Sequence, residues 1–209
     1  MICLFLARRW RGTSRESALR HFIAIGCVVV WLISTCYRIF FLPFDWESSL
    51  PLQFCNLANL IGAIAIFGKG RLFKSVIYFW AGALCIWAYL TPELPVGPAR
   101  AGFWIFWGYH VFIPLAVVEV LVLQQFRPGL QDYRNALIFT LAYLAILIVP
   151  NNLMGWNYGF VGPSEPQNPT LIDFLGPYPL RLLWMILLGA FLFWLLLLPW
   201  LKQSKGGPK

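Results

Sequence analysis

A cysteine and a histidine in apolar stretches of this sequence have the chemistry needed for covalent catalysis. Cys55 follows the mostly apolar residues 50–54, and His110 lies in the middle of a second apolar run. A thiol becomes a good nucleophile when a neighbouring base takes its proton, and a neutral imidazole can be that base. The two residue types predict acyl transfer, with Cys55 as the nucleophile and His110 as the base.

Polar side chains elsewhere in the sequence could support the same chemistry. At 100° per residue, Cys55, Asn56 and Asn59 fall within an arc of about 100° on one helix face. Asparagine amides can donate hydrogen bonds to an oxyanion, and Asn152 is a third candidate for that role. We expect five side chains to bind substrate, the last two at the mouth of the site: Asn56, Asn59, Asn152, Tyr158 and Asp173.

Each of these residues also has a purely structural interpretation. A lone cysteine in an apolar helix is usually a small packing residue, and asparagines between helices often only hold them together. We interpret the other cysteines of the apolar runs, Cys27, Cys36 and Cys85, as packing residues. The five cysteines form no CxxC pair and there are only two histidines, so we expect neither a metal site nor another cofactor.

The elements that position these residues are predicted to be membrane-spanning helices. The 209 residues are 60% apolar and only 11% charged, with a mean hydropathy of +0.71. A bilayer span needs about 20 mostly apolar residues. The sequence therefore predicts an all-α bundle, one transmembrane domain at 21–201 between a basic segment at 1–20 and a basic tail at 202–209. Its six full spans are residues 21–43, 50–67, 73–90, 101–124, 135–153 and 178–201.

The distribution of Lys and Arg predicts the orientation of the bundle. Thirteen of these residues fall in the N-terminal segment, the second and fourth loops and the tail, whereas the other loops together hold only Arg100. Basic residues accumulate on the cytoplasmic side, so both termini are predicted to be cytoplasmic. This pattern explains the net charge of +8. Because no helix carries a basic stripe, we expect no binding of nucleic acid.

The predicted spans place Cys55 and His110 in the same leaflet. At about 1.5 Å per residue, Cys55 lies roughly 8 Å and His110 roughly 13 Å from the non-cytoplasmic side. The segments rich in polar residues, glycine and proline fall on that side too. Glu119 lies deeper, and we expect it to be protonated, paired with a basic residue, or near a water-filled cavity.

Two hypotheses other than an enzyme stay open. A non-catalytic protein that binds a lipid or a small amphiphile would use the same outward site, with His110 and the asparagines holding a head group. A channel or transporter needs a polar path through both leaflets, and only Glu119 extends the polar residues inward. We therefore rank the transporter last.

Several short segments occur in a distinctive order along the chain. They are Leu50-Pro51-Leu52-Gln53-Phe54-Cys55, Tyr78-Phe79-Trp80-Ala81-Gly82, Leu90-Thr91-Pro92-Glu93-Leu94, His110, Asn157-Tyr158 and residues 171–179. In this order the chain resembles the YwaF-like bacterial integral membrane family, from the first span to the end. The resemblance implies the bacterial cytoplasmic membrane and a seven-span bundle that lacks most of its first helix, with residues 1–7 matching that helix's last turns. An alternative for residues 1–7 is a small interfacial anchor.

The same segments are distantly similar to the transmembrane protein 164 group. That group is implied to transfer acyl chains between lipids, and it has a cysteine at the position of Cys55 and a histidine that aligns with His110. The resemblance thus implies a membrane-embedded lipid acyltransferase or lipid-ester hydrolase whose partners are membrane lipids.

Overall fold

The chain folds almost entirely into α-helix. A computed structural model describes residues 2–68, 70–92, 94, 96–163 and 173–204. The described part is all-α, with 76% helix and no β-strand, which confirms the predicted fold class. Inside a bilayer each backbone N–H and C=O group must be paired within the protein, and helices meet this requirement within one segment.

Eight α-helices follow one another along the described residues. They are α1 (Ile2–Trp10), α2 (Ser14–Phe40), α3 (Phe54–Phe67), α4 (Arg71–Phe79), α5 (Trp87–Leu90), α6 (Ala101–Val118), α7 (Leu130–Met154) and α8 (Leu180–Ser204). A π-helix at Trp80–Leu84 lies between α4 and α5, and a second at Glu119–Leu123 extends α6. Short 3-10 turns occupy Tyr158–Phe160 and Asp173–Leu175.

Five of the described helical segments are long and apolar enough to cross a membrane. They are Ser14–Phe40, Arg71–Leu90, Ala101–Leu123, Leu130–Met154 and Leu180–Leu201. The chain is therefore a multi-pass membrane protein, and these segments correspond to five of the six predicted spans. The remaining span was predicted at 50–67, but α3 begins only at Phe54 and has 14 residues. At that length α3 rises about 21 Å, less than the hydrocarbon core, so the count of six full spans stays a prediction.

The short helix α3 lies inside the protein. It packs against α2, α4 and α6, and most of its side chains are buried. Hydrogen bonds from other parts of the chain satisfy the non-helical backbone before it. The Tyr158 hydroxyl accepts from the Leu50 N–H at 3.1 Å, the Tyr143 hydroxyl donates to the Leu52 carbonyl, and the Gln53 side chain accepts from Gly159. Irregular backbone at this position is tolerated because the protein encloses it.

The N-terminal helix α1 is separate from the long helix that follows. The chain turns at Gly12, which has a φ of +75°, and the Gly12 N–H donates to the Glu16 carboxylate at 2.6 Å. Helix α1 packs against the π-helix Glu119–Leu123, with Ala7 fully buried. Helix α2 then starts at Ser14, seven residues earlier than the predicted span, because its first two turns continue beyond the apolar stretch.

Two ion pairs connect helices at the ends that carry the predicted cytoplasmic loops. Glu119 is fully buried and pairs with Arg20 at 3.0 Å, so of the three expectations for this residue the structure has the ion pair. Gln124 donates to Glu119 and to the carbonyls that end α3. Asp132 lies in the first turn of α7 and pairs with Arg71 of α4 at 2.6 Å. These contacts fix the relative positions of α2, α3, α4, α6 and α7.

Candidate functional site

Cys55 lies at the start of α3. It is the second residue of the helix, its thiol is free, and it is partly exposed. The N-terminal end of a helix carries a partial positive charge, which favours a thiolate at this position. The Cys55 thiol lies close enough to the Cys85 thiol and the His110 ring to interact with both. The two residues whose types predicted acyl transfer therefore lie in the same region of the bundle, and their catalytic pairing stays a prediction.

The ring of His110 is held in one orientation. His110 is only 2% exposed and lies between the rings of Phe106 and Tyr109, each with its centroid 4.2 Å away. Its Nδ1 atom is 2.8 Å from the carbonyl oxygen of Phe106, one turn earlier in α6. A carbonyl can only accept, so Nδ1 carries the hydrogen and Nε2 of the neutral ring keeps its lone pair. The nitrogen left for Cys55 is thus the one that can take a proton.

A proline and a tyrosine fix the backbone of His110. Pro114 lies inside α6 and has no N–H, so it cannot donate to the carbonyl of His110 four residues earlier. The Tyr89 hydroxyl, from α5, donates to this carbonyl at 2.5 Å. A buried carbonyl without a partner is costly, so Tyr89 replaces the bond that the proline removes.

Asn59 connects the helix of Cys55 to the helix of His110. Its amide nitrogen donates to the carbonyl of Cys55 at 3.1 Å and to the carbonyl of Tyr109 at 3.0 Å. Both amide hydrogens are therefore used within the protein, whereas the Oδ1 atom is buried without a hydrogen-bond partner in the described part of the chain. Asn59 holds α3 and α6 in register beside the cysteine and the histidine. An oxyanion would have to displace one of these bonds to receive a hydrogen from Asn59.

The other candidate residues lie in different surroundings. Asn56 is 2% exposed and accepts a 3.5 Å hydrogen bond from Ser34 of α2. Asn152 lies on the exposed side of α7, where its amide nitrogen donates to Ile148 and its oxygen accepts from the Tyr178 hydroxyl. Asp173 starts a 3-10 turn, and its side chain lies outside the described part of the structure.

Tyr158 forms hydrogen bonds within the loops outside α3. Its hydroxyl donates to the carbonyl of Trp46 at 2.5 Å, and its backbone is held by the Asn151 side chain at 2.8 and 3.1 Å. Burial raises the pKa of Tyr158 to about 12, so the hydroxyl keeps its proton and remains a donor at neutral pH. These bonds join the segment before α3 to the segment after α7.

Sequence reasoning did not identify two residues of this site, Cys85 and Tyr89. Cys85 was interpreted as a packing residue, and it is 1% exposed in the hydrophobic core, where its thiol also lies near Cys55. The π-helix that positions Cys85 cannot be recognised from the pattern of apolar residues. Tyr89 could have been sought as the donor that the carbonyl four residues before Pro114 requires. Among the described residues, no group of three His, Cys, Asp or Glu side chains is arranged to hold a metal ion.

Comparison with known proteins gives one match. The model of the TMEM164 family matches residues 1–197. No curated protein and no solved structure matches the chain. The YwaF-like bacterial designation stays a prediction. Because the match runs from the N-terminal helix α1 through most of α8, the chain belongs to the TMEM164 family.

Proposed function

We propose that this protein is a membrane-embedded acyltransferase that acts on lipid esters, with Cys55 as the nucleophile and His110 as the base. The observation that carries the proposal is the position of the Cys55 thiol, close enough for electrostatic interaction with a histidine whose Nδ1 is bound to the Phe106 carbonyl. This arrangement leaves an acceptor nitrogen beside the thiol, which is what general-base activation requires. Membership of the TMEM164 family supports a membrane protein of this kind.

The proposed reaction has two half-reactions that balance in atoms and protons. His110 takes the Cys55 proton, and the sulfur attacks the carbonyl carbon of a lipid ester. The bond to the alcohol oxygen breaks, and the departing lysolipid takes the proton from His110. An acceptor hydroxyl then gives its proton to His110 and attacks the thioester, and the proton returns to the Cys55 sulfur as the new ester leaves. Water as the acceptor would give hydrolysis by the same steps.

The surroundings of Cys55 suit a lipid substrate. Cys55 is partly exposed, whereas His110 is buried, so a substrate would approach from the cysteine side. The site lies at the end of α3 that carries the loops with few basic residues, and we propose that it opens to the non-cytoplasmic leaflet. The ester bonds of a membrane lipid lie at the glycerol level of the bilayer, close to the depth predicted for Cys55.

Asn56 is the asparagine we propose to assist the reaction. It follows Cys55 directly, and its carbonyl oxygen accepts the Ser34 hydrogen bond. Its amide hydrogens take part in none of the hydrogen bonds of the described residues, so they can meet an oxyanion. Asn59 would position the helices, and Tyr158 and Asn152 would support the outer loops. The substrate contact expected of Asp173 stays a proposal.

The test is to trap the acylated cysteine. Purified protein in lipid nanodiscs would be given a phospholipid with a labelled acyl chain and a lysophospholipid acceptor. We expect a thioester on the Cys55 peptide, removable by hydroxylamine, and labelled product phospholipid. Cys55→Ala should lose both signals. Cys36→Ala is the matched control, because Cys36 is an exposed free cysteine on α2, and it should keep both.

Two results would contradict the proposal. One is transfer at the wild-type rate by the Cys55→Ala variant, because the proposed nucleophile would then be dispensable. The other is the absence of any thioester on Cys55 while lipid co-purifies equally with wild type and Cys55→Ala. That second result would favour the lipid-binding protein considered from the sequence.

A further inference from the structure

Three polar side chains are enclosed where α2, α3 and α6 pack together. Ser34 of α2 and both Asn56 and Asn59 of α3 are at most 2% exposed. Helix α3 contacts both other helices, and Asn59 bonds to the Tyr109 carbonyl of α6. A polar atom inside a bilayer is costly when it has no partner, so each hydrogen-bonding atom of this group needs one.

The hydrogen bonds of the two asparagines leave complementary atoms unused. Asn59 donates both amide hydrogens, to the carbonyls of Cys55 and Tyr109, and its Oδ1 atom has no hydrogen-bond partner among the residues that the structure describes. Asn56 shows the opposite pattern, because its Oδ1 atom accepts from Ser34 while its amide nitrogen donates none of the hydrogen bonds of the described chain. An acceptor is therefore left on Asn59, and two donor hydrogens are left on Asn56.

Helix geometry places these unused atoms beside each other. Residues three apart lie about 60° from each other around the helix axis, with Cβ atoms about 5–6 Å apart. A single oxygen atom between the two amides would lie about 3 Å from each, the length of an ordinary hydrogen bond. A hydroxyl group satisfies both, since it accepts from Asn56 and donates to Asn59. An ester carbonyl only accepts and an ammonium group only donates, so either would leave one asparagine unpaired.

We propose that Asn56 and Asn59 form a binding site for the free hydroxyl of the lipid that accepts the acyl chain. The inference rests on the proposed function and names the acceptor as a lysolipid. Cys55 and Asn59 are neighbours four residues apart on α3, so the bound hydroxyl lies one helical turn from the thiol. Because Cys55 is partly exposed, the hydroxyl can enter past it. The hydroxyl turns away from Asn59 to give its proton to His110 in the second half-reaction, and the other amide hydrogen of Asn56 remains for the oxyanion.

The test is a competition between two lipids that differ by one oxygen atom. Purified protein in detergent would be given an equimolar mixture of a lysophosphatidylcholine and its analogue without the glycerol hydroxyl. Native mass spectrometry then measures the ratio of the two bound forms. We expect the wild type to favour the hydroxyl-bearing lipid by about tenfold, because the analogue leaves two buried polar groups unpaired.

Two substitutions should abolish this preference. Asn59→Leu removes the acceptor and Asn56→Leu removes the donor, so each should bring the ratio to within about twofold of one. Ser34→Ala is the matched control, because it alters the same cluster but leaves both groups that meet the hydroxyl, and it should keep the preference. If Asn59→Leu is not recovered folded, Asn56→Leu carries the test, since the Asn56 side chain forms only the 3.5 Å bond with Ser34 in the described structure.

The outcomes separate this inference from the proposed function. A wild-type ratio near one would overturn it, because the asparagines would then bind water or hold helices together. A preference that survives both leucine variants would overturn it too. If the preference depends on the asparagines but Cys55 never carries an acyl group, the hydroxyl site stands and the acyl transfer fails. If Cys55 is acylated while the two lipids bind equally, only the hydroxyl site fails.

Discussion

Replacing Tyr89 by phenylalanine tests how the backbone of His110 is supported. Tyr89→Phe removes the 2.5 Å hydrogen bond to the His110 carbonyl and leaves that carbonyl buried without a partner. An unsatisfied buried group costs about 1–3 kcal/mol, but interhelical hydrogen bonds in membrane proteins average only about 0.6 kcal/mol. We expect a loss of about 1 kcal/mol in the free energy of unfolding. For a chain of this size that is a fall of roughly 2–4 °C in Tm.

A second substitution should restore the hydrogen bond to the His110 carbonyl that Tyr89→Phe removes. Pro114→Ala introduces the N–H that a regular helix would direct at the His110 carbonyl. In the double variant Tyr89→Phe/Pro114→Ala, the alanine at position 114 can donate the missing bond, so the two changes should be non-additive by about 1 kcal/mol in the stabilising direction. Pro150→Ala is the matched control, because Pro150 also lies inside a helix, α7, but is remote in sequence from His110.

The assay is thermal unfolding in detergent, followed by tryptophan fluorescence, since the chain has 11 tryptophans. Wild type, both single variants, the double variant and the Tyr89→Phe/Pro150→Ala control would be compared. Unfolding of Tyr89→Phe at the wild-type temperature would refute the role of this hydrogen bond. So would a Pro114→Ala change that fails to improve the Tyr89→Phe background, or a Pro150→Ala change that improves it just as well.

Three further substitutions have definite expected outcomes in the same unfolding assay. Gly162→Ala would place a Cβ atom 1.7 Å from the backbone oxygen of Trp156, so we expect a loss of about 3 kcal/mol, whereas Gly108→Ala has open space and should not destabilise. Asp132→Ala removes charged hydrogen bonds to an arginine, a serine and a backbone N–H, and should cost about 2 kcal/mol. Asn59→Ala frees α3 from α6, and we expect about 1 kcal/mol less stability together with slower iodoacetamide labelling at the adjacent cysteine.

The sequence predicted the helices well because apolar length alone specifies them. Helix α3 nevertheless begins four residues after the predicted start of its span, because Pro51 and the three residues around it form an irregular segment. Helical propensity could not reveal this, because the segment is stabilised by hydrogen bonds to residues far along the chain, such as Tyr158 and Tyr143. The apolar run marks which residues are buried, whereas the helix start depends on tertiary contacts.

The sequence predicted the depth of the candidate site in the membrane, but not the directions in which its side chains point around the helix axes. The rise per residue placed Cys55 and His110 at comparable depths, and in the structure the two side chains are close enough for electrostatic interaction. The depth of a residue does not determine the direction in which its side chain points around the helix axis. For Cys85 that direction depends on the π turn at Trp80–Leu84. A single extra residue in a turn changes the angle by about 100°, which moves a side chain from one face to another.

Two departures from regular helix lie at this one cluster, and each comes with a compensating hydrogen bond. The proline in α6 frees a carbonyl that Tyr89 fills, and the π turn before Cys85 keeps its own backbone bond while redirecting the thiol. The second π-helix, at Glu119–Leu123, instead supports a buried ion pair with Arg20. Irregular helix is thus not in itself a sign of a site. At the Cys55 cluster the irregularities orient groups that can exchange a proton, whereas at Glu119 they orient a pair whose charges hold helices together. That chemical difference is the basis for proposing activity at the former.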